Sequence, residues 1–358
     1  MLNAENLGGV LLNSQHNFAW LTAGGNNGVD LSRENGASSL LIRNDGKRFL
    51  LANKIEMPRM LAEEVCEKDF EPIIFDWEAE KINGNFVVET AQSLVENSSN
   101  LATDIFYNPN FRVIEGSVAK CRYQLTQHEV ERVQQLGKDA GEIVGDIYDE
   151  LSVGQSEIEI ANIVRFEVGK RNINSVVTLV AADERIAKLR HPISTENVWK
   201  KVLMIVVCAK RDGLIASLSR IFSIGQISDE LRKRTDAVAK VHARMMHATR
   251  PNATGKEIFE IIKNAYSDVG FAGEELKHHQ GGACGYKTRD WVAHSESLEQ
   301  VQLNQAFAFN PSITGTKSEE TFIVKENGIE VITASANFPA ISNVIDGIEY
   351  QSPDIFCL

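Results

Sequence analysis

Three reciprocal helix caps constrain this chain more than any other feature. Thr126 with Glu129, Ser156 with Glu159 and Thr254 with Glu257 each have the Thr/Ser-x-x-Glu spacing. In that arrangement the hydroxyl accepts from the third backbone N–H, and the carboxylate reaches back to the N–H of the cap. The first cap opens an apolar stripe of Val130, Val133, Leu136, Ala140, Val144, Ile147 and Leu151. Spacings of three and four predict one long amphipathic helix. A second stripe runs through Leu231, Val238, Val241 and Met245. Between the helices lie β-rich runs at 176–181, 202–209, 306–309, 321–324 and 329–332. Helices and strands that alternate in this way predict an α+β domain with a mixed sheet.

The first third of the chain has a different texture. Short apolar runs at 9–12, 39–42 and 48–52 read as strands, and helical pattern appears at 56–66 and 87–95. These segments predict a smaller α/β unit, with the Thr126 cap marking the start of the next. The expected domains are 1–122 and 123–358. Lys plus Arg total 37 against 49 Asp plus Glu, a net charge of -12. That balance argues against a nucleic-acid face, which needs a surplus of cations. Cys66, Cys121, Cys208, Cys284 and Cys357 are scattered and contain no Cys-x-x-Cys pair. Neither a disulfide framework nor a structural zinc site is expected. The start, Met-Leu-Asn-Ala-Glu-Asn, lacks a basic region followed by an apolar run, and no stretch has the length of a membrane span. A cytoplasmic protein is expected, with no membrane partner.

Two segments resemble signatures of a known family. Residues 213–222 read Gly-Leu-Ile-Ala-Ser-Leu-Ser-Arg-Ile-Phe, and residues 318–324 read Ser-Glu-Glu-Thr-Phe-Ile-Val. They are similar to segments of the pita-bread proteins: methionine aminopeptidase, aminopeptidase P, prolidase and creatinase. Residues 9–22, Gly-Val-Leu-Leu-Asn-Ser-Gln-His-Asn-Phe-Ala-Trp-Leu-Thr, resemble the entry to the N-terminal domain of the prolidase group. The resemblance implies a creatinase/prolidase-like N-terminal α/β domain, a C-terminal pita-bread domain and a homodimer.

It also implies five metal-ligand positions, two Asp, one His and two Glu in the metal-dependent members. Carried over one at a time, they fall on Val206, Ser217, Gly282, Asn310 and Glu319. Only Glu319 keeps its carboxylate. Paired divalent ions need several carboxylate oxygens, so neither the family's two-metal site nor any other cofactor is expected. His278, His279 and Asp212 lie close to lost positions. The plain expectation is that the histidines contact substrate or backbone and that Asp212 is a solvated turn residue. A replacement metal site is not expected.

Creatinase has this fold without metal, and its proton-carrying His matches His191. The resemblance then implies His191 as general acid/base, with Glu319 orienting it and stabilising the imidazolium. Glu320 and Glu184 are further carboxylate candidates. Arg190, Arg220 and Arg289 fall in cleft-lining segments, where Arg can grip a carboxylate bidentately. With Asn310 they would position a substrate, and His278 or His279 could donate to an oxyanion. Cys284 is expected to be a buried, inert thiol. His16, His128, His242, His247 and His294 receive no role. Three readings stay open. The first is a metal-independent hydrolase of a C–N bond in a small carboxylate-bearing or short-peptide substrate. The second is a non-catalytic pita-bread peptide- or ligand-binding protein. The third is an Xaa-Pro peptidase with an unorthodox metal site.

Overall fold

In the computed structural model, which describes residues 1–96 and 100–358, the chain divides into Met1–Arg122 and Tyr123–Leu358. The first unit is built on a six-stranded mixed sheet. Its strand order is Glu71–Phe75, Arg48–Asn53, Asn35–Arg43, Gly9–Ser14, Leu101–Thr103, Arg112–Val113. Side chains alternate between the faces of a strand. Leu11, Leu41 and Leu51 therefore enter one core with Val88 and Ala91, and Val10, Leu12, Leu40 and Leu50 enter the other with Phe18 and Met57. The helix expected at 56–66 is instead a short α-turn, Met57–Arg59, followed by wider π-type turns, Met60–Glu64. The one expected at 87–95 forms at Phe86–Ser93.

All three reciprocal caps form, opening the helices Gln127–Asp146, Glu157–Gly169 and Gly255–Asp268. The long helix stops at Asp146, and Ile147–Glu150 tighten into a 3-10 turn, so Leu151 lies beyond the stripe expected to carry it. One face of this helix bears Gly137, Gly141 and Gly145. A Cβ at Gly141 would stand 2.3 Å from the Thr333 carbonyl oxygen, and one at Gly137 would stand 2.6 Å from that of Ile332. The glycines let the helix lie directly on the backbone of 332–335.

Two larger sheets, with the two-stranded pairs Ser312–Ile313/Thr316–Lys317 and Ala340–Ile345/Ile348–Pro353, lie in this unit. One is four-stranded, in the order Ile355–Cys357, Leu214–Ser223, Val202–Arg211, Asn174–Ala182. The other is five-stranded, in the order Trp291–Val292, Gly281–Cys284, Ala306–Phe309, Glu320–Lys325, Gly328–Val331. Asp212 (φ 48°) and Gly213 (φ 81°) close the hairpin between Val202–Arg211 and Leu214–Ser223. Left-handed conformations at both positions make the tight turn whose twist suits a hairpin. This turn fixes the register, placing Val206 opposite Ser219 and Cys208 opposite Ser217. The sheets meet where Ser219 N–H donates to the Glu319 carbonyl (3.2 Å) and Ser217 N–H to Thr321 Oγ1 (2.7 Å). Among the described residues no helix is long and apolar enough to cross a membrane.

Candidate functional site

Glu319 is the centre of the site. It is buried, and three groups hold its carboxylate. Lys317 Nζ lies 2.9 Å from Oε2, Arg289 Nη2 lies 3.2 Å from Oε1, and the Ser219 hydroxyl donates to Oε2 at 2.6 Å. Lys317 and Glu319 are two residues apart in extended chain, so their side chains share a face. Burial alone would raise the Glu319 carboxyl, but Lys317 and then Arg289 outweigh it and hold it at about 2. His242, buried in the helix Asp229–Ala248, meets the Ser318 hydroxyl through Nδ1 at 2.8 Å and steadies the residue between Lys317 and Glu319.

Beside this cluster stand three histidines. His191 Nε2 and His278 Nε2 are 3.0 Å apart, and the nearest ring nitrogens of His191, His278 and His279 all lie within 4.8 Å of one another. Two carboxylates hold the loops that carry them. Glu274 receives Arg190 (2.5 Å) and the Thr314 N–H (2.9 Å), tying the residue before His191 to the segment before His278. Fully buried Glu157 accepts from Arg185, from the Ala182 N–H and from the Thr195 N–H, fixing the chain after Pro192. Loss of surrounding water lowers all three imidazoles, including those of His191 and His279, which keep an exposed edge. Lys317 adds to this at His191 and at His278, which falls to about 3, and Arg289 adds to it at His279, which falls to about 4.

These placements correct several expectations. Glu319 does not orient His191 by direct contact: its partners are Lys317, Arg289 and Ser219, and the ring partner of His191 is His278. Glu319 does act on the His191 ring electrostatically, but burial and Lys317 outweigh it, so His191 is not an imidazolium stabilised by a carboxylate. Arg190 is engaged with Glu274 and serves to position the His191 loop. Arg220, expected at the substrate, is only 1% exposed. It pairs with Glu320 at 3.0 Å and donates to the Thr333 carbonyl at 2.7 Å. Neighbouring residues of a strand point to opposite faces, so Ser219 and Glu319 face the site while Arg220 and Glu320 face away from it. Glu184 is exposed and paired with Lys188. Cys284 is buried, and burial pushes its thiol up to about 12, which leaves no thiolate near neutral pH.

Arg289 Nε and Asn310 Oδ1 are both buried without a hydrogen-bond partner. The sequence reading missed Lys317, Ser219, Glu274 and His242. The signal for Lys317 was available in its parity with Glu319.

Comparison with known proteins follows the fold. The profile of metallopeptidase family M24 matches residues 131–331, more than half of the chain. The chain belongs to this family. The M24 chain is 22% identical to the Xaa-Pro dipeptidase of Pyrococcus furiosus over 234 residues, 62% of this chain and 66% of that one. It is 21% identical to an uncharacterized peptidase of Staphylococcus haemolyticus over 353 residues, 93% and 99% of the two chains. Among solved structures, the Xaa-Pro dipeptidase of Bacillus anthracis superposes with a TM-score of 0.76 at 19% identity, covering 100% of this chain and 97% of that one. The fold is therefore the α+β fold of full-length Xaa-Pro dipeptidases, with a creatinase-like N-terminal domain and a C-terminal pita-bread domain.

Proposed function

We propose that this M24 chain binds a short peptide or peptide-like small molecule by its carboxylate, in a cleft where the chain's own cations stand in for paired metal ions. The observation that carries the reading is the pairing of Glu319 with both Lys317 and Arg289. Two cations against one carboxylate leave a surplus positive charge. Arg289 Nε is a free buried donor and Asn310 Oδ1 a free buried acceptor. A ligand with a carboxylate and a nearby N–H, the two ends of a peptide unit, matches both.

Paired divalent ions do not fit these side chains. Val206 and Gly282 offer no ligating atom, and Ser217 and Asn310 offer only neutral oxygens. A Cβ at Gly282 would stand 2.1 Å from the Trp291 carbonyl oxygen, so even a side chain there needs the backbone to move. The single carboxylate already has its positive partners. The test is calorimetric titration of the chelator-treated protein with dipeptides and their C-terminal amides. The free acids are expected to bind and the amides to bind at least about tenfold more weakly, with Arg289→Ala losing the difference. Equal affinity for acid and amide, or binding only after Mn2+ is added, would overturn the reading.

A second reading, metal-independent hydrolysis of a C–N bond, is favoured by the His191–His278 contact. A neutral His191 could take a proton from attacking water and return one to the leaving nitrogen. It predicts turnover that survives chelator and is abolished in His191→Ala. The homodimer expected from the family belongs to the same proposal, and light scattering of the purified chain tests it.

A further inference from the structure

We propose that His191, His278 and His279 form a mononuclear site for a transition-metal ion of zinc type, distinct from the five positions of the family's metal pair. The three rings converge. Their centroids lie 4.8 Å apart for His191 and His278, 5.6 Å for His191 and His279, and 4.6 Å for His278 and His279. One nitrogen of each falls within 4.8 Å of the others, with the closest pair at 3.0 Å. Nitrogens bound to one tetrahedral zinc at about 2.0–2.1 Å sit roughly 3.3 Å apart. The closest pair is near that spacing already, and the exposed rings of His191 and His279 can swing to complete it. His278 is 8% exposed and its Nδ1 has no partner, so no hydrogen bond outside the cluster holds its ring away from an ion.

The donor set selects the ion. Three imidazoles with no carboxylate suit Zn2+, Co2+, Ni2+ or Cu2+, whereas Mn2+ and Mg2+ prefer oxygen. Three protein ligands also leave a fourth position open. Lys317 and Arg289 act on the same rings, and Glu319 offsets one of those charges. An anion in the fourth position, such as chloride or a ligand carboxylate, therefore strengthens metal binding. Without an ion, the close contact is an Nε2–H of one ring donated to Nε2 of the other. On binding, that proton moves to an Nδ1 and both Nε2 lone pairs face the metal, with no net proton released from neutral rings.

The site uses none of the side chains assigned to the carboxylate, so it and the carboxylate-binding reading fail separately, whereas Zn2+ on His191 would displace the metal-independent reading that keeps this ring as a free base. The full chain, stripped by chelator and exchanged into buffer, is titrated with ZnSO4, CoCl2 and MnCl2. One Zn2+ per chain is expected, along with cobalt d–d bands free of thiolate charge transfer and no saturable Mn2+ binding. His191→Ala and His279→Ala, both at exposed positions that leave the fold intact, are each expected to weaken Zn2+ by at least about tenfold, and His278→Ala likewise. Three results would each overturn the proposal: no stoichiometric Zn2+, Zn2+ binding that His191→Ala and His279→Ala both retain, or a cobalt–thiolate band.

Discussion

Among the described residues, Glu319 is the carboxylate that pairs with both Lys317 and Arg289. Lys317 and Glu319 are 5% and 2% exposed, so the pair has lost its water. Removing one partner of a buried pair typically costs about 3–5 kcal/mol, because the other charge is stranded. Glu319→Gln is therefore expected to lower the unfolding free energy, measured by urea titration, by an amount in that range. Ser219→Ala, which removes one hydrogen bond to the same carboxylate, is expected to cost about 1 kcal/mol or somewhat more. Equal losses for the two would mean that the cations are hydrated. At this scale the sequence disclosed side-chain chemistry better than side-chain direction. His191, His278, His279, Arg289 and Glu319 were all singled out from the sequence, and the structure gathers the three rings and pairs Arg289 with Glu319. Arg220 was misplaced because its identity was weighed and its parity was not: one step from Ser219 along a strand, it had to face the other way. Lys317 was missed for the same reason in reverse. Which ring nitrogen meets which partner depends on loops at 189–192 and 274–279 that are distant in sequence.

Among the elements, the helix Gln127–Asp146 best exposes the conflict between local preference and packing. Alanine is favoured over glycine inside a helix by roughly 1 kcal/mol. At Gly141, though, a Cβ would stand 2.3 Å from the Thr333 carbonyl oxygen. Contact with rigid backbone outweighs propensity, so Gly141→Ala is expected to destabilise by about 2 kcal/mol or more, in the range of overpacked sites. Thr333 also accepts from Arg220 and donates to Glu320, so the variant should loosen that buried pair as well. A rise in melting temperature would show that the helix has room to move. The start of this helix was plain in the sequence because both halves of its cap are local. The glycine row was visible too, but its meaning was not: the surface it fits is supplied by residues about 190 positions later. The Asp212-Gly213 turn needed no distant partner and was readable where it stood.

For the molecule as a whole, several groups held below their ordinary range set the response to acid, His242, Glu319, His278 and His279 among them. His242 is fully buried, and burial lowers it from 6.5 to about 4. Between those values the unfolded chain binds a proton that the native chain refuses, so stability falls as pH drops, by about 3 kcal/mol over the window. Glu319, held at about 2 against 4.5 for the free group, acts in the same direction from pH 4.5 downward. Urea midpoints measured from pH 7.5 to 3.5 should decline steadily below 6.5. His242→Gln should lessen the upper part of that decline, to which His278 and His279 also contribute, and leave the part that Glu319 sets. A midpoint constant from 6.5 to 4.5 would contradict the burial of His242.

We propose that Lys317 and Arg289, rather than paired ions, neutralise Glu319, the carboxylate that the resemblance matches to the family's metal set. Anomalous scattering at the manganese edge from crystals soaked in excess Mn2+ tests it most directly. No peak is expected within reach of Glu319, with Lys317 and Arg289 still on its oxygens. Two bridged peaks there, with both cations displaced, would contradict it.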